Sequence, residues 1–317
     1  MLNRRAVSVL SFILCFASLA IAQSNGDAWD RYNRGRQRMA KGDLDRAIVD
    51  FTRAIELSSR PPDGGSRRRQ DWQANFSGDG VDSDADRITF IDPLTAAAYG
   101  NRALAYYRQG DFESALADCD RSLFINPGQL EVYNNRGVIH WALANFDAAL
   151  KDFDYVLSRN AKDAKALNNR GNVLVNKGEF KAALADLNKA IELEPKIPEF
   201  YSDRGEARRR SGDVEGSLSD FARSLELNPR LPSAYLNRGM AWNDKKDFAR
   251  ALADFSEAIK LDPNLGLAYG NRGLINLRQG RIAEAEADFA ECKRLEPRLA
   301  ERLEELIARE KTRRTPK

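Results

Sequence analysis

A 34-residue period constrains this chain more than any other feature of its sequence. The triplet Asn-Arg-Gly, with two one-residue variants, occurs seven times, and its third residue falls at positions 35, 103, 137, 171, 205, 239 and 273. Every interval is 34 residues except the first, which is 68 residues and therefore twice that length. A fixed period of this size indicates tandem structural repeats that bury their apolar faces by stacking on one another.

Each period has the pattern of two helices joined by a short turn. With Ala164 as position 1, a small residue occupies position 8, Gly is frequent at position 15, position 17 is aromatic or aliphatic, position 20 is small and Pro is frequent at position 32. Because Gly disfavours a helix interior, the small residue at position 8 predicts a close approach of the second helix at position 20.

This pattern resembles the tetratricopeptide repeat (TPR) family. The resemblance implies an all-α fold, namely a right-handed α-solenoid of seven TPR helix pairs plus a C-terminal capping helix. We expect the cap because Leu299, Leu303, Leu306 and Ile307 form an apolar stripe at helical spacing.

The period divides the chain into ten segments. They are a signal peptide at 1–22, TPR 1 at 28–61, a loop-rich insertion or degenerate repeat at 62–95, TPR 2 at 96–129, TPR 3 at 130–163, TPR 4 at 164–197, TPR 5 at 198–231, TPR 6 at 232–265, TPR 7 at 266–297, and a capping helix and tail at 298–317.

The segment between the first two repeats is rich in Pro, Gly, Ser, Arg and Asp, which is typical of loops. Because the interval is two periods long, we interpret it as a repeat that has degraded. We expect a loop over 60–82 and a short helix near 84–91.

The N-terminus has the pattern of an export signal. Arg4 and Arg5 precede the uncharged, largely apolar run 6–21, and Ala20-Ile21-Ala22 forms a small-x-small cleavage site before Gln23. We therefore predict a periplasmic or secreted protein. The alternative is that the segment stays uncleaved as an anchor, and only then would the membrane be a partner.

Charge and cysteine content exclude two classes of site. The formal net charge of +3 falls to +1 without the signal, because the signal contains two Arg and no acid, and this near-balance gives no electrostatic case for nucleic acid. Cys119 and Cys292 lie five repeats apart, too far for a disulfide in a stacked solenoid. We expect both to be small buried hydrophobic residues.

Catalytic and metal-binding patterns are missing, so we predict a protein that is not an enzyme and has no cofactor and no metal. The single histidine, His140, stands at a packing position of its repeat. Asp82, Asp84 and Asp86 alternate as in some calcium loops, but Arg87 occupies the position of the required Gly. The residue where such a loop ends in Glu is Pro93.

Arg at position 7 is matched by Asp at position 23 in all seven repeats, where the family usually has Leu at position 7. We expect structural ion pairs, within one repeat or between adjacent repeats, that fix the orientation of the helices. The pairs are Arg34 and Asp50, Arg102 and Asp118, Arg136 and Asp152, Arg170 and Asp186, Arg204 and Asp220, Arg238 and Asp254, and Arg272 and Asp288.

Position 6 is Asn in six repeats and Asp in the fifth. The family resemblance implies that this position points into a concave groove, and the row is similar to the asparagine ladder of O-GlcNAc transferases. A carboxamide can bond the N–H and C=O of an extended peptide together; the alternative is that each Asn orients local backbone. The expected groove residues are Asn33, Asn101, Asn135, Asn169, Asp203, Asn237 and Asn271, with Tyr107 and Trp141 beside them.

We therefore expect a protein-protein interaction scaffold or adaptor that binds an extended segment of another protein in the TPR groove. The family's pattern for holding C-terminal carboxylates with Lys and Arg is not reproduced. Two alternatives remain open: a structural or oligomerising module of an envelope assembly, and a glycan-binding solenoid.

Overall fold

The computed structural model describes residues 26–58 and 93–314, and within those ranges it contains fifteen α-helices and no strand. The helices are α1 (Gly26–Ala40), α2 (Leu44–Ser58), α3 (Pro93–Gln109), α4 (Phe112–Ile125), α5 (Leu130–Ala142), α6 (Phe146–Arg159), α7 (Ala164–Lys177), α8 (Phe180–Leu193), α9 (Pro198–Arg210), α10 (Val214–Leu227), α11 (Pro232–Asp244), α12 (Phe248–Leu261), α13 (Gly266–Arg278), α14 (Ile282–Leu295) and α15 (Ala300–Arg314). A short 3₁₀ turn, Pro297–Leu299, precedes α15.

The expected fold class is confirmed: the chain is an all-α solenoid of helix pairs, α1/α2 to α13/α14, with α15 after the last pair. The chain forms two compact units whose boundary lies between Val156 and Leu157, within α6. The N-terminal unit contains α1 to α5 and most of α6, and the C-terminal unit contains α7 to α15.

The turn at position 15 ends each first helix in the left-handed region of backbone space. Gly occupies this position in five repeats with φ between 79° and 95°. Ala144 and Lys246 adopt φ of 60° and 62° in the two repeats that lack the glycine. The backbone of the repeat therefore imposes this conformation, whichever residue stands there.

The close approach at position 8 has a different origin from the one expected. A Cβ built on the glycine at position 8 would lie 2.6–2.9 Å from the side chain at position 24 of the second helix, which is Phe in five repeats and Leu187 in one. Backbone at position 20 is the third-nearest group, at 3.3 Å, and only for Gly171. Glycine at position 8 thus leaves space for the large side chain at position 24, which is an aromatic ring in most repeats.

In the N-terminal unit, the α1/α2 pair packs directly on the α3/α4 pair. Asn101 Nδ2 donates to the Tyr32 hydroxyl at 3.0 Å, and Arg102 Nη1 donates to Thr52 Oγ1 at 2.9 Å. The Ser58 and Thr95 hydroxyls are 2.7 Å apart. The contacts of Asn101 and Arg102 join the same repeat positions that meet between other consecutive repeats.

The prediction for 62–95, a loop-rich insertion or a degenerate repeat, falls almost entirely outside the described residues and stays a prediction with both alternatives open. The helix that opens the second repeat begins at Pro93, three residues before the expected start at 96. The expected loop over 60–82 and short helix at 84–91 lie outside the described residues.

The C-terminal unit ends in the capping helix. Leu303 and Ile307 of α15 are buried at 5% and 6% exposure. Arg278 of α13 donates to both carboxylate oxygens of Glu310, at 2.8 and 2.7 Å. The outward residues of α15, such as Glu301, Arg302 and Glu305, are exposed and polar, as the open end of a repeat stack requires.

Candidate interaction surface on the first helices

The first helices of neighbouring repeats lie side by side within each unit. We define the first-helix face by repeat positions 5, 6, 9, 12 and 13 of α1, α3 and α5 in the N-terminal unit and of α7, α9, α11 and α13 in the C-terminal unit. All groove residues expected from the sequence stand on these helices.

Arg at position 7 and Asp at position 23 are hydrogen-bonded in all seven repeats. Two nitrogen atoms of each Arg donate to the carboxylate sixteen residues later, at 2.6–3.3 Å. The seven Asp residues are buried. A bidentate bond fixes both distance and orientation, so each pair locks one first helix onto its own second helix.

At least four of these Arg side chains also bond the preceding repeat. Arg136 Nη1 donates to Asp120 at 2.7 Å, and Arg204 Nη1 donates to Asn188 at 2.8 Å. Arg102 and Arg272 reach Thr52 and Ser256, at 2.9 and 3.3 Å, in the same way. The hydrogen bond with Asp152 raises the pKa of Arg136 above its ordinary value. One guanidinium therefore joins three helices.

Position 6 also bridges neighbouring first helices in at least three repeats. Asn101 donates to Tyr32, and Asn237 Nδ2 donates to Ser202 Oγ at 3.3 Å. Asp203 accepts from Asn168 Nδ2 at 2.7 Å. In each case the partner occupies position 5 of the preceding repeat. These bonds tie adjacent first helices together.

The expectation of an even row of exposed carboxamides does not agree with the burial of these side chains. Asn169 and Asn237 are only 1% exposed, because neighbouring first helices pack closely. Tyr107 and Trp141 are also buried, at 5% and 6%, and burial raises the pKa of the Tyr107 hydroxyl. None of these four side chains can contact a guest chain without rearrangement.

Three carboxamides of the row remain partly exposed and are not used between repeats. Position 5 of the preceding repeat is Gly100 for Asn135 and Leu236 for Asn271. Asn33 lies on α1, which is the first repeat helix described and has no described repeat before it. Asn33 and Asn135 make no hydrogen bond within the described residues, and Asn271 donates one to Leu267 O, four residues earlier, at 2.7 Å. Partial exposure therefore leaves these groups accessible to a guest.

Side chains of α7, α9 and α11 form a polar cluster that the sequence pattern did not predict. Asn172 Nδ2 also donates to Asp203, at 2.8 Å. Arg209 binds Glu206 with two bonds, at 3.0 and 3.1 Å, and Asp244 with one at 2.7 Å. Burial opposes the charge of Arg209, but the two acids outweigh it and raise its pKa.

His140 and the two cysteines are packing residues in the structure. His140 Nδ1 is buried and has no hydrogen-bond partner among the described residues, and burial lowers the pKa of this imidazole. Cys119 and Cys292 are buried at 0% and 3% exposure, and burial raises the pKa of each thiol.

Among the described residues, no group of His, Cys, Asp or Glu is arranged to hold a metal ion. The alternating Asp82, Asp84 and Asp86 lie outside them. Within the same ranges, no helix has the length and apolarity needed to cross a membrane.

Sequence profiles of the tetratricopeptide repeat match five of the seven helix pairs. One profile matches residues 96–129, 164–197 and 232–265, and a second matches 130–163 and 267–299. Together these matches cover more than half of the chain. The chain belongs to the tetratricopeptide repeat family. TPR proteins mediate protein-protein interactions, and this chain is accordingly a protein-interaction scaffold.

Solved structures share the TPR fold at low sequence identity. A tetratricopeptide repeat protein from Parabacteroides merdae is 20% identical with a TM-score of 0.66, and the match covers 89% of this chain and 99% of that one. A TPR protein of Thermus thermophilus is 24% identical with a TM-score of 0.51, covering 57% and 98%. Pseudomonas aeruginosa pilF is 19% identical with a TM-score of 0.52, covering 64% and 92%. No curated protein matches the chain significantly.

Proposed function

We propose that the first-helix face of each unit binds an extended segment of another protein, and that Asn33 and Asn135 in the N-terminal unit and Asn271 in the C-terminal unit contact the main chain of a guest. The observation that supports this most strongly is the state of Asn135. It is partly exposed and makes no hydrogen bond within the described residues, and position 5 of the preceding repeat is Gly100, where three other repeats have a side chain that bonds the next first helix. Its carboxamide therefore keeps both donor and acceptor groups for a ligand.

The chemistry of these groups favours an extended guest. One carboxamide can accept from a peptide N–H and donate to a peptide C=O, and both bonds are independent of the guest's side chains. Asn101 adds a partial contribution: its nitrogen donates to Tyr32 and to Ala97 O, at 3.0 and 2.9 Å, while its oxygen accepts no bond from the part of the chain that the structure describes.

The proposal places the protein outside the cytoplasm. This rests on residues 4–22, which have the charge and apolarity of an export signal. The mass of the mature chain tests it directly, because cleavage before Gln23 predicts a chain that begins there, whereas an uncleaved anchor predicts one that begins at Met1.

Display of random peptides against the purified full chain tests the binding function. We expect enriched linear peptides whose affinity falls about three- to tenfold in Asn135→Ala, since each lost hydrogen bond contributes about 0.5–1.5 kcal/mol. The melting temperature should stay unchanged.

Asn237→Ala is the matched control, because its side chain is buried and bridges two first helices. We expect it to lower the melting temperature. Failure of the wild-type chain to enrich any linear peptide contradicts the proposal. If the protein then self-associates and Asn135→Ala does not change this, the result would favour an oligomerising module. If the protein captures glycans, the result would favour a glycan-binding solenoid.

A further inference from the structure

The first repeat has a basic stripe along α1, formed by Arg31, Arg34, Arg38 and Lys41. These residues occupy repeat positions 4, 7, 11 and 14, which fall on one side of a helix because a turn contains about 3.6 residues. Position 7 is Arg in every repeat, but position 4 is Tyr in five of the other repeats and Leu in the sixth, and position 11 is Arg in only one of them. The stripe is therefore a property of the first repeat and not of the repeat pattern.

Three guanidinium groups of the basic stripe converge on one carboxylate. Arg34 binds the buried Asp50 with two nitrogen atoms, Arg38 Nη1 lies 2.7 Å from Asp50 Oδ2, and Arg31 Nη1 lies 3.5 Å from Asp50 Oδ1. One negative charge therefore faces three positive charges. The acids of α1 do not cancel this excess, because α1 and Lys41 together contain five basic and two acidic side chains.

Arg34 also has a donor atom that equivalent arginines use between repeats. In at least four repeats, Nη1 at position 7 donates to a side chain at position 25 of the preceding second helix, through Thr52, Asp120, Asn188 and Ser256. No helix precedes α1 within the described residues, and Arg34 Nη1 makes no hydrogen bond among them. The Arg34 side chain is 43% exposed, against 16–28% for the other six arginines at position 7. This side of α1 is therefore accessible, and in other repeats it receives a helix.

The solubility of a terminal repeat does not explain a stripe of one sign. A terminal repeat needs only a polar outer face, and α15 meets that need with mixed charges such as Glu301, Arg302 and Glu305. Like charges one turn apart on a helix are destabilising. A partner with acidic side chains relieves that repulsion.

We infer that the basic stripe docks an acidic helix of a partner protein, whose Asp or Glu side chains bind Arg31, Arg34 and Arg38. The chain contains the same contact between repeats, because Arg136 Nη1 donates to Asp120 on a neighbouring helix at 2.7 Å. The stripe lies on a different side of α1 from the first-helix face. This docking is therefore additional to the proposed binding of an extended guest and does not depend on it.

Display of a library of helical peptides against the purified full chain tests the inference. We expect the enriched peptides to carry Asp or Glu three or four residues apart, since such residues are neighbours on one face of a helix. Replacing these acids by Gln in a synthetic peptide should weaken binding to the wild type about three- to tenfold. The salt dependence of binding should fall as well.

The double variant Arg31→Gln/Arg38→Gln removes two charges of the stripe and keeps the bond between Arg34 and Asp50. We expect it to bind an enriched peptide about three- to tenfold more weakly than the wild type does. Arg46→Gln/Arg53→Gln is the matched control, because it removes the same charge from α2, where each Arg already pairs with an acid three residues away. We expect the control to bind as the wild type does.

Enrichment of no acidic helical peptide by the wild type, or equal affinity of the two double variants, would overturn the inference and leave the proposed function standing. If Arg31→Gln/Arg38→Gln fails to fold, the Gln-substituted peptide decides, and equal affinity of both peptides for the wild type overturns the inference.

Two other occupants of the basic stripe give different results. Binding to phosphatidylglycerol vesicles without peptide enrichment would assign the stripe to a membrane surface. Self-association that only Arg31→Gln/Arg38→Gln abolishes, again without peptide enrichment, would assign it to a second copy of this chain. Either result overturns the inference.

Discussion

Residues at positions 8 and 24 are matched in size. Six repeats pair Gly at position 8 with Phe or Leu at position 24, whereas the second repeat pairs Ala103 with Cys119. Both Ala103 and Cys119 are completely buried. The contact distances explain the pairing, because a methyl group at position 8 leaves too little space for a ring.

This pairing predicts the outcome of exchanging the two residues. Cys119→Phe alone should lower the free energy of unfolding by about 1–3 kcal/mol, since it overpacks the space beside Ala103. The double variant Ala103→Gly/Cys119→Phe should recover most of that loss. Equilibrium unfolding in urea measures both changes, and additivity of the two substitutions would contradict the argument.

His140 gives the stability a defined pH dependence. Burial lowers the pKa of the folded imidazole below its ordinary value of 6.5, so the unfolded chain binds the proton more readily. Stability should therefore be fully present above pH 6.5 and decrease as the pH falls below it.

His140→Gln should reduce that slope just below pH 6.5, because the chain contains no other histidine. Thermal melts of both proteins between pH 5 and 8 measure the effect. An unchanged slope would show that the imidazole has the same pKa in both states.

At the scale of the helix, the turn at position 15 is strained in two repeats. Ala144 and Lys246 hold positive φ angles that are costly for residues with a Cβ. Glycine adopts this conformation without that cost. The turn is therefore retained by the packing of the flanking helices.

Ala144→Gly should raise the free energy of unfolding by about 0.5–1 kcal/mol, because relief of the strain exceeds the added entropy of the unfolded chain. Gly178→Ala is the reciprocal control and should lower it by a similar amount. Destabilisation by Ala144→Gly would show that the left-handed turn costs nothing here.

The helix pairs were predictable from the sequence, since one period fixes both helices, and the Arg and Asp at positions 7 and 23 meet within a single pair. The state of each Asn at position 6 was not predictable in this way. Asn101 and Asn135 occupy the same position of their repeats and both precede an Arg, but position 5 of the preceding repeat is Tyr32 for Asn101 and Gly100 for Asn135. The accessibility of each Asn depends on packing between repeats, and a pattern common to all repeats does not describe that packing.

At the scale of the whole molecule, the two repeats on either side of residues 59–92 are in direct contact. Tyr32, Thr52 and Ser58 of the first repeat bond residues of α3. The segment 59–92 is 34 residues long, one full period, so it preserves the register of the repeat.

Replacing 59–92 by the sequence of the short connection 126–129 should therefore leave the stack intact. We expect the free energy of unfolding to rise by about 1–2 kcal/mol, since closing a shorter loop costs less entropy. Urea unfolding measures this change. A loss of cooperative unfolding would instead show that the segment holds the first repeat in place.

The central claim is that the carboxamides unused between repeats are the ones that contact a guest. Asparagine-selective ¹⁵N labelling of the chain, followed by titration with an enriched peptide, observes each side-chain NH₂ group separately. The account predicts shifts for Asn33, Asn135 and Asn271 and unchanged signals for Asn169 and Asn237. Shifts confined to the two buried residues, or to none of the five, would contradict it.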